Sequence, residues 1–322
     1  MRSFIQKQFL PLGLLLVAFA GIFVPGPGIF MAALPTAYFV VSIIFFISGL
    51  LLKTNEIWKA IYAWQGTAWG CISILIVTPL IGVTVATVLP VDPVFKIGLA
   101  LFCCMPTTLS SGIALTGQAR GNVALALLLT VLTNIGGILT VPFALVFLVG
   151  PILQAIGPVG LSAGDLLVKL CLSILLPLSA GKFCRRLGED WLDGHRSQLS
   201  VISNLALISV PWMKFSQSSK RLAEVDLNEL LVLIIASISI HIIYLILNTG
   251  VVKLLPIEWK EGKAVILLSS QKTIPVAMTV LAFIPVAEET KGLIAIPCIT
   301  FHFVQIIIDA LLATRWGNRS AA

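Results

Sequence analysis

Apolar stretches of about twenty residues recur along the whole chain, each ended by a short charged or polar break. They fall near residues 8–24, 34–52, 64–89, 95–117, 121–149, 161–183, 198–213, 228–250, 263–285 and 290–313. A helix needs about 20 apolar residues to cross the hydrocarbon core of a bilayer. The pattern predicts an all-α polytopic membrane protein with ten transmembrane helices. Composition points the same way: 11% of residues are charged, against about 25% in soluble domains. Ten spans use most of the 322 residues, so 1–322 reads as a single integral membrane domain with no soluble catalytic part. Span seven is the weakest and shortest, interrupted by Pro211 and followed by the polar stretch KFSQSSKRLAEVDLNE.

Ten spans place both ends of the chain on one side. Fourteen Lys and Arg lie on that side, among them Arg2, Lys7, Lys53, Lys59, Arg120, Arg185 and Arg315. Five lie on the other, namely Lys96, Lys214, Lys220, Arg221 and Lys291, and Lys169 and Lys272 fall within spans. The positive-inside rule then puts both termini in the cytoplasm or its equivalent. Trp58, Trp64, Trp191, Trp259 and Trp316 fall at or between predicted ends, where an aromatic belt belongs. The net charge of +7 is thus a membrane-edge feature, and no nucleic-acid partner is expected. MRSFIQKQF followed by LPLGLLLVAFAGIFV has the outline of a signal peptide but no small-residue cleavage site, and reads as a retained first span. The bilayer is a bacterial inner membrane or a eukaryotic plasma or organelle membrane.

One charge stands out. Lys272 lies in VILLSSQKTIPVAMTVLAF, where a central Lys costs about 2.5–3.5 kcal/mol. Ser269, Ser270, Gln271 and Thr273 surround it, and Pro275 follows. Proline removes a backbone donor and clashes with the carbonyl four residues back, so span nine is broken here. Irregular backbone at membrane depth survives only where protein or a water-filled cavity covers it. Span four has a similar break, in which Pro106 precedes Thr107, Thr108, Ser110, Ser111 and Gly112. Each break falls in the fourth span of five, and an odd repeat unit inverts. Residues 1–150 and 151–322 therefore read as two inverted five-helix halves, and matched breaks of this kind point to a transport site.

Hydroxyls and freed carbonyls are hard oxygen ligands that suit Na⁺ or a polar solute. Thr130, Thr133 and Asn134 of span five sit on adjoining faces, as ligands or as an interhelical hydrogen-bonded seam. Lys272 has two readings: it attracts an anionic group, or its ammonium stands in for a coupling cation. Asp309 pairs with Arg315 or faces a cavity. His241 and His302 read as helix-packing imidazoles, and Lys169 as the partner of Asp165 one turn away. The six cysteines are scattered through apolar segments without metal-ligand spacing and read as reduced, buried side chains. There is no HExxH, phosphate-binding glycine loop or acidic cluster, so no enzyme activity and no cofactor are expected.

The stretch PTTLSSGIALTGQARGNVALAL resembles the crossing region of the bile acid:sodium symporter family, where a small polar break leads into an A-[KR]-G-N-x-A-L turn. SSQKTIPVAM, CMPTTLSSG and FFISGLLLKTNE, with Ser48, Gly49, Leu50, Leu52, Lys53 and Thr54, are similar to its member-seven-like branch. The resemblance implies two inverted five-helix repeats whose broken helices four and nine cross near the midplane. It also implies a panel domain of spans one, two, six and seven, a core domain of the others, and a cavity for organic anions between them. Carried over by position, Ser110, Ser111, Thr130 and Gln271 are the sodium ligands. Two positions depart from the pattern: an acidic ligand is Leu267 here, and an Asn is Lys272. A sodium ion about 4 Å from a fixed ammonium is repelled by ~4 kcal/mol at an effective dielectric of about 20.

The expectation is a secondary transporter of organic anions, such as bile-acid-like or sterol conjugates or small carboxylates. It works by alternating access with Na⁺ or H⁺ as coupling ion, or uncoupled, as a monomer or weak homodimer. The alternatives are a non-transporting membrane regulator or scaffold with the same fold, and a passive channel.

Overall fold

The computed structural model describes residues 9–33, 36–52 and 63–319. Arg2, Lys7, Lys53, Thr54, Trp58 and Lys59 lie outside the described residues. Within them the chain is helical, with no strand. In order the helices are α1 Phe9–Phe23, α2 Pro25–Ala33, α3 Thr36–Leu51, α4 Trp64–Val88, α5 Pro93–Cys103, α6 Ser111–Gln118 and α7 Val123–Ile156. There follow α8 Ala163–Arg185, α9 Glu189–Gly194, α10 Arg196–Gln217, α11 Ser219–Leu222, α12 Leu227–Leu254, α13 Trp259–Ser270, α14 Ile274–Phe283 and α15 Glu288–Arg319.

Seven of the described spans are long and apolar enough to cross a membrane, or eight when a sharply bent pair counts as one. The bent pair is Leu16–Phe23 with Pro25–Ala33, which turn through 93° at Val24. Predicted spans four and nine are both split. Span four becomes α5 and α6 with irregular chain between them, and span nine becomes α13 and α14 around Gln271, Lys272 and Thr273. Span seven departs from expectation: α10 runs through Pro211 without interruption. One interior proline removes a single hydrogen bond, and neighbouring helices at membrane depth compensate for that.

Proline acts differently elsewhere. α4, α7 and α8 each contain one widened π-type turn, at Ser73–Val77, Leu145–Val149 and Cys171–Leu175. Each turn is followed two residues on by proline, at Pro79, Pro151 and Pro177. The ring would clash with the carbonyl four residues back in a regular helix, and the extra residue in the turn relieves it. The widening leaves a main-chain carbonyl without its usual donor.

The helices divide into two units. One holds α1–α3, α8–α11 and Ala277–Ile296. The other holds α4–α7, the helices from α12 to Val276, and α15 from Pro297 onward. In the first unit α10 packs on α1, α2 and α3, and α8 packs on α3. α8 and α3 approach through glycine: a Cβ on Gly181 would lie 2.0 Å from the Phe46 carbonyl oxygen, and one on Gly49 would lie 2.1 Å from that of Leu178. α8 also caps α3, because Arg185 Nη1 donates to the Leu50 carbonyl at 2.8 Å and Lys182 Nζ to that of Leu52 at 2.8 Å. Cations suit helix C-termini, where carbonyls lack partners. Lys169 does not pair with Asp165; its ammonium lies 5.8 Å from the Phe283 ring centre. The start of α15 is tied to α10 by Lys214 on the Glu288 carboxylate and to the turn after α10 by Ser218 Oγ on the Glu289 carbonyl, and Lys291 bonds Glu288 within α15.

In the second unit the Ala119–Arg120–Gly121–Asn122 turn joins α6 to α7. Arg120 takes the left-handed conformation at φ 54°, and Gly121 N–H bonds the Thr116 carbonyl at 2.8 Å. Gly121 is needed for approach, since a Cβ there would sit 2.9 Å from Thr116 Cγ2 and 3.2 Å from the Lys260 carbonyl oxygen. The Asn122 side chain then caps α7, accepting from Leu125 N–H at 3.0 Å. Leu115, Leu125, Leu129, Val265, Leu267 and Leu268 form the apolar cluster under the broken segments.

Gly181→Ala places a methyl group against backbone that cannot move aside, and should destabilise by about 1–3 kcal/mol. Gly250→Ala is the control, because a Cβ there meets nothing within 4 Å. Thermal unfolding of the purified protein checks the pair. A Gly181→Ala midpoint at or above wild type would sink the packing argument.

Candidate functional site

The two broken segments lie against each other in the second unit. Thr273 N–H donates to the Pro106 carbonyl at 3.0 Å, and Thr107 Oγ1 donates to the Leu268 carbonyl at 2.6 Å. Thr108 Oγ1 donates to Gln271 Oε1 at 2.8 Å and accepts from Gly112 N–H at 3.0 Å. Pro106 and Pro275 explain why both helices break. Pro275 sits in the first turn of α14, where its missing N–H costs nothing. The last carbonyls of α13 have no partner within the helix, and Thr107 satisfies one of them from the other break. Gly112 makes room for this contact, because a Cβ there would lie 2.7 Å from Leu268 Cδ1 and 2.9 Å from Thr108 Oγ1.

Polar residues of α7 serve the first break. Asn134 Nδ2 donates to the Thr107 carbonyl at 3.1 Å, and Thr130 Oγ1 lies 3.5 Å from that of Thr108. Thr130 also bonds Ala126 in its own helix, and Thr133 bonds only Leu129. Ser111 Oγ lies 3.4 Å from Gln271 Oε1, whereas Ser110 is exposed at the start of α6. Of the four, Ser111 contacts Gln271 directly, and Thr130 reaches the same break through the Thr108 carbonyl.

Lys272 is fully buried and does not snorkel. Its Nζ donates to the Ile74 carbonyl at 2.9 Å. Ile74 belongs to the widened turn of α4: Thr78 N–H reaches back to Ser73, and Pro79 has no N–H to offer. Lys272 thus supplies the donor that this proline withholds. Among the described residues no carboxylate lies within ion-pair distance of the ammonium. The Lys272 main chain is held by Gln305, which accepts from its N–H at 2.9 Å and donates to its carbonyl at 2.7 Å.

Asp309 does not pair with Arg315. Its Oδ2 accepts from Gln271 Nε2 at 2.6 Å, and its Oδ1 faces His241 Nε2 at 2.9 Å. His241 Nδ1 faces the Ser270 carbonyl at 3.1 Å. His241 is therefore part of a buried chain from Thr108 through Gln271 and Asp309 to the end of α13. His302 Nδ1 lies 3.0 Å from the Gln305 amide, which fits a packing role. Farther along α12, Tyr244 donates to the Thr78 carbonyl at 2.5 Å, and Asn248 accepts from Trp69 and Ser73.

Sequence reasoning missed Gln305, Tyr244 and Asn248, and left Asp309 between Arg315 and a cavity without finding Gln271 and His241. A signal was present. His241, Tyr244 and Asn248 on α12, and His302, Gln305 and Asp309 on α15, both follow i, i+3, i+7 spacing, which is one face of a helix.

Four buried side-chain atoms around the breaks have no hydrogen-bond partner among the described residues: Ser269 Oγ, Ser270 Oγ, Thr273 Oγ1 and Asn134 Oδ1. Nearly all buried polar groups in proteins are paired, so these four atoms call for partners that the described residues do not supply.

A model of the SBF-like CPA transporter family matches residues 8–318. The probable sodium/metabolite cotransporter BASS4, chloroplastic, of Arabidopsis thaliana is 35% identical over 98% of this chain and 74% of its own length. The corresponding protein of Oryza sativa subsp. japonica is 34% identical over 98% of this chain and 77% of its own. Sodium/bile acid cotransporter 7-A of Xenopus laevis is 24% identical over 96% of this chain and 91% of its own.

Gly112→Ala should force Thr108 and Gln271 apart and destabilise by about 1–3 kcal/mol. Gly117→Ala, with only Val123 Cγ2 at 3.6 Å, should be neutral or stabilising. Unfolding midpoints decide, and equal midpoints for the two variants would refute the steric role of Gly112.

Proposed function

The chain belongs to the SBF-like CPA transporter family and is an integral membrane transporter, and from that premise we propose that it is a secondary transporter of organic anions working by alternating access. The observation that carries this reading is the cluster of buried, unpartnered hydroxyl and amide oxygens where the two broken helices meet. A scaffold has no use for polar atoms left unpaired in a buried region, since each costs about 1–3 kcal/mol. A site that exchanges polar ligands with water does.

In this reading the chain has ten spans in two inverted halves, with both termini on the Lys/Arg-rich side. α5–α6 and α13–α14 are the broken spans four and nine. Spans one, two, six and seven form the panel and the others the core in this reading; the two units support that division except at Ala277–Ile296, which groups with the first unit. The substrate class is an amphipathic or small carboxylate, consistent with the names of the relatives.

Lys272 supplies the fixed positive charge of this site. Its ammonium is held by the Ile74 carbonyl, as a bound cation would be. With a tethered cation in place, sodium is needed less, and transport proceeds with one sodium, with protons or uncoupled. The buried charge has no carboxylate partner, so an organic anion is its natural counter-ion.

In proteoliposomes, sodium-independent uptake should fall at least about tenfold in Lys272→Ala, a loss of about 1.4 kcal/mol or more. Uptake by Lys272→Met at the wild-type rate would remove the role of the charge. The substrate is sought by thermal unfolding with Na⁺ and a panel of organic anions, where a ligand at about 100 times its Kd stabilises by about 2.7 kcal/mol. A panel without one stabilising anion, with none taken up, would count against transport.

A further inference from the structure

Residues 277–296 stand apart from the helices they continue. The chain leaves the second unit after Val276 and returns to it at Pro297, and the stretch between groups with the first unit. It comprises most of α14, residues 284–287 and the start of α15. Both ends are places where a helix bends readily. One lies just after the break at Gln271–Thr273, and at the other Pro297 withholds a hydrogen bond inside α15.

Side chains of the first unit grip this stretch. Lys214 of α10 bonds the Glu288 carboxylate, and Lys291 bonds the same carboxylate at 2.7 Å and the Ala282 carbonyl at 3.0 Å. Ser218 Oγ donates to the Glu289 carbonyl at 2.5 Å, and Arg221 Nη1 to Thr290 Oγ1 at 3.1 Å. The Lys169 ammonium of α8 lies over the Phe283 ring. The approach is close: a Cβ on Gly292 would lie 2.1 Å from Ser218 Oγ and 2.7 Å from the Lys214 carbonyl oxygen.

The chemistry suits a contact that opens. Lys214 and Lys291 are buried, but the carboxylate that joins them is 46% exposed. Water reaches the ion pairs from that side, and a pair in contact with water parts at far lower cost than a dry one. Glu288 is also the tie that crosses from α15 to Lys214. Without it Lys214 keeps Gln217 Oε1 of its own helix, at 3.4 Å.

Position supplies the purpose. Lys214, Arg221 and Lys291 belong to the Lys/Arg-poor side. In the transport reading span seven is panel, and spans nine and ten are core. Alternating access by gating needs a contact that is closed on one side of the membrane in one state and parted in the next. A piece of spans nine and ten fastened to α10 is such a contact, in its closed form.

We propose that residues 277–296 form a gate on the Lys/Arg-poor side, latched by Glu288, and that the gate lifts from α10 once in each transport cycle. Its part in the cycle rests on the transport reading, and the lifting does not.

Lifting is measured on full-length protein in nanodiscs with a charged, water-soluble maleimide, the adduct being located by peptide mass spectrometry. Ser218→Cys puts a thiol under the gate. Ser216→Cys puts one two residues earlier, on a face turned to α2, where a Cβ on Gly28 would meet Ser216 Oγ at 2.0 Å. Both serines are buried. The thiol at 218 should react at least about tenfold faster than the thiol at 216. Glu288→Ala should speed the reaction at 218 by about tenfold more, the effect of losing one hydrogen bond to a charged group. No reaction at 218, equal rates at the two positions, or a rate at 218 unmoved by Glu288→Ala overturns the gate. Uptake of the panel anions into proteoliposomes is then compared before and after reaction at 218, with wild type treated alike to account for its natural thiols. The adduct holds the gate from closing, so uptake should fall in proportion to the fraction modified. Uptake that survives the adduct overturns the gate's part in transport. A gate that lifts in a protein whose wild type moves no anion overturns the transport reading and leaves the lifting segment standing.

Discussion

Pro79 has no amide hydrogen, and the carbonyl of Ile74 is therefore left without a main-chain donor inside an apolar helix. Every backbone polar group at membrane depth must find a partner within the protein. Lys272 provides it, reaching from the broken segment between α13 and α14 to the widened turn of α4. A neutral donor would have sufficed for the carbonyl. An ammonium does more, because it brings a net charge to the place where both broken helices have their free ends. The cost of a lysine in this environment is thus partly offset by the carbonyl it satisfies, and the remainder is tolerated where a charge is useful.

The same accounting explains the rest of the site. Breaking two helices frees carbonyls and amides at four ends. Thr107 takes the Leu268 carbonyl, Thr273 N–H takes that of Pro106, Asn134 takes that of Thr107, and Gln305 takes both main-chain groups of Lys272. What is left over is a set of hydroxyls on Ser269, Ser270 and Thr273. The backbone is therefore held by the protein, while the side chains that remain unpaired are those available to a ligand. A rigid frame with free side-chain donors suits repeated binding and release, since the frame does not reorganise each time.

The breaks were legible in the sequence because proline and clustered hydroxyls are local signals. Pro106 with Thr107 and Thr108, and Gln271 with Lys272 and Thr273, do lie together, as their matched positions suggested. The partners were not legible, because contacts between residues far apart in the chain leave no local trace. Arg315 was one of two readings for Asp309, and residues six apart point to different faces of a helix. The polar stripes on α12 and α15 were readable by periodicity, but each is only three residues in an apolar helix of 28 or 32. Pro211 was taken as a breaker by the rule for soluble helices, while the effect of Pro79 was a subtler change of turn that only the coordinates reveal.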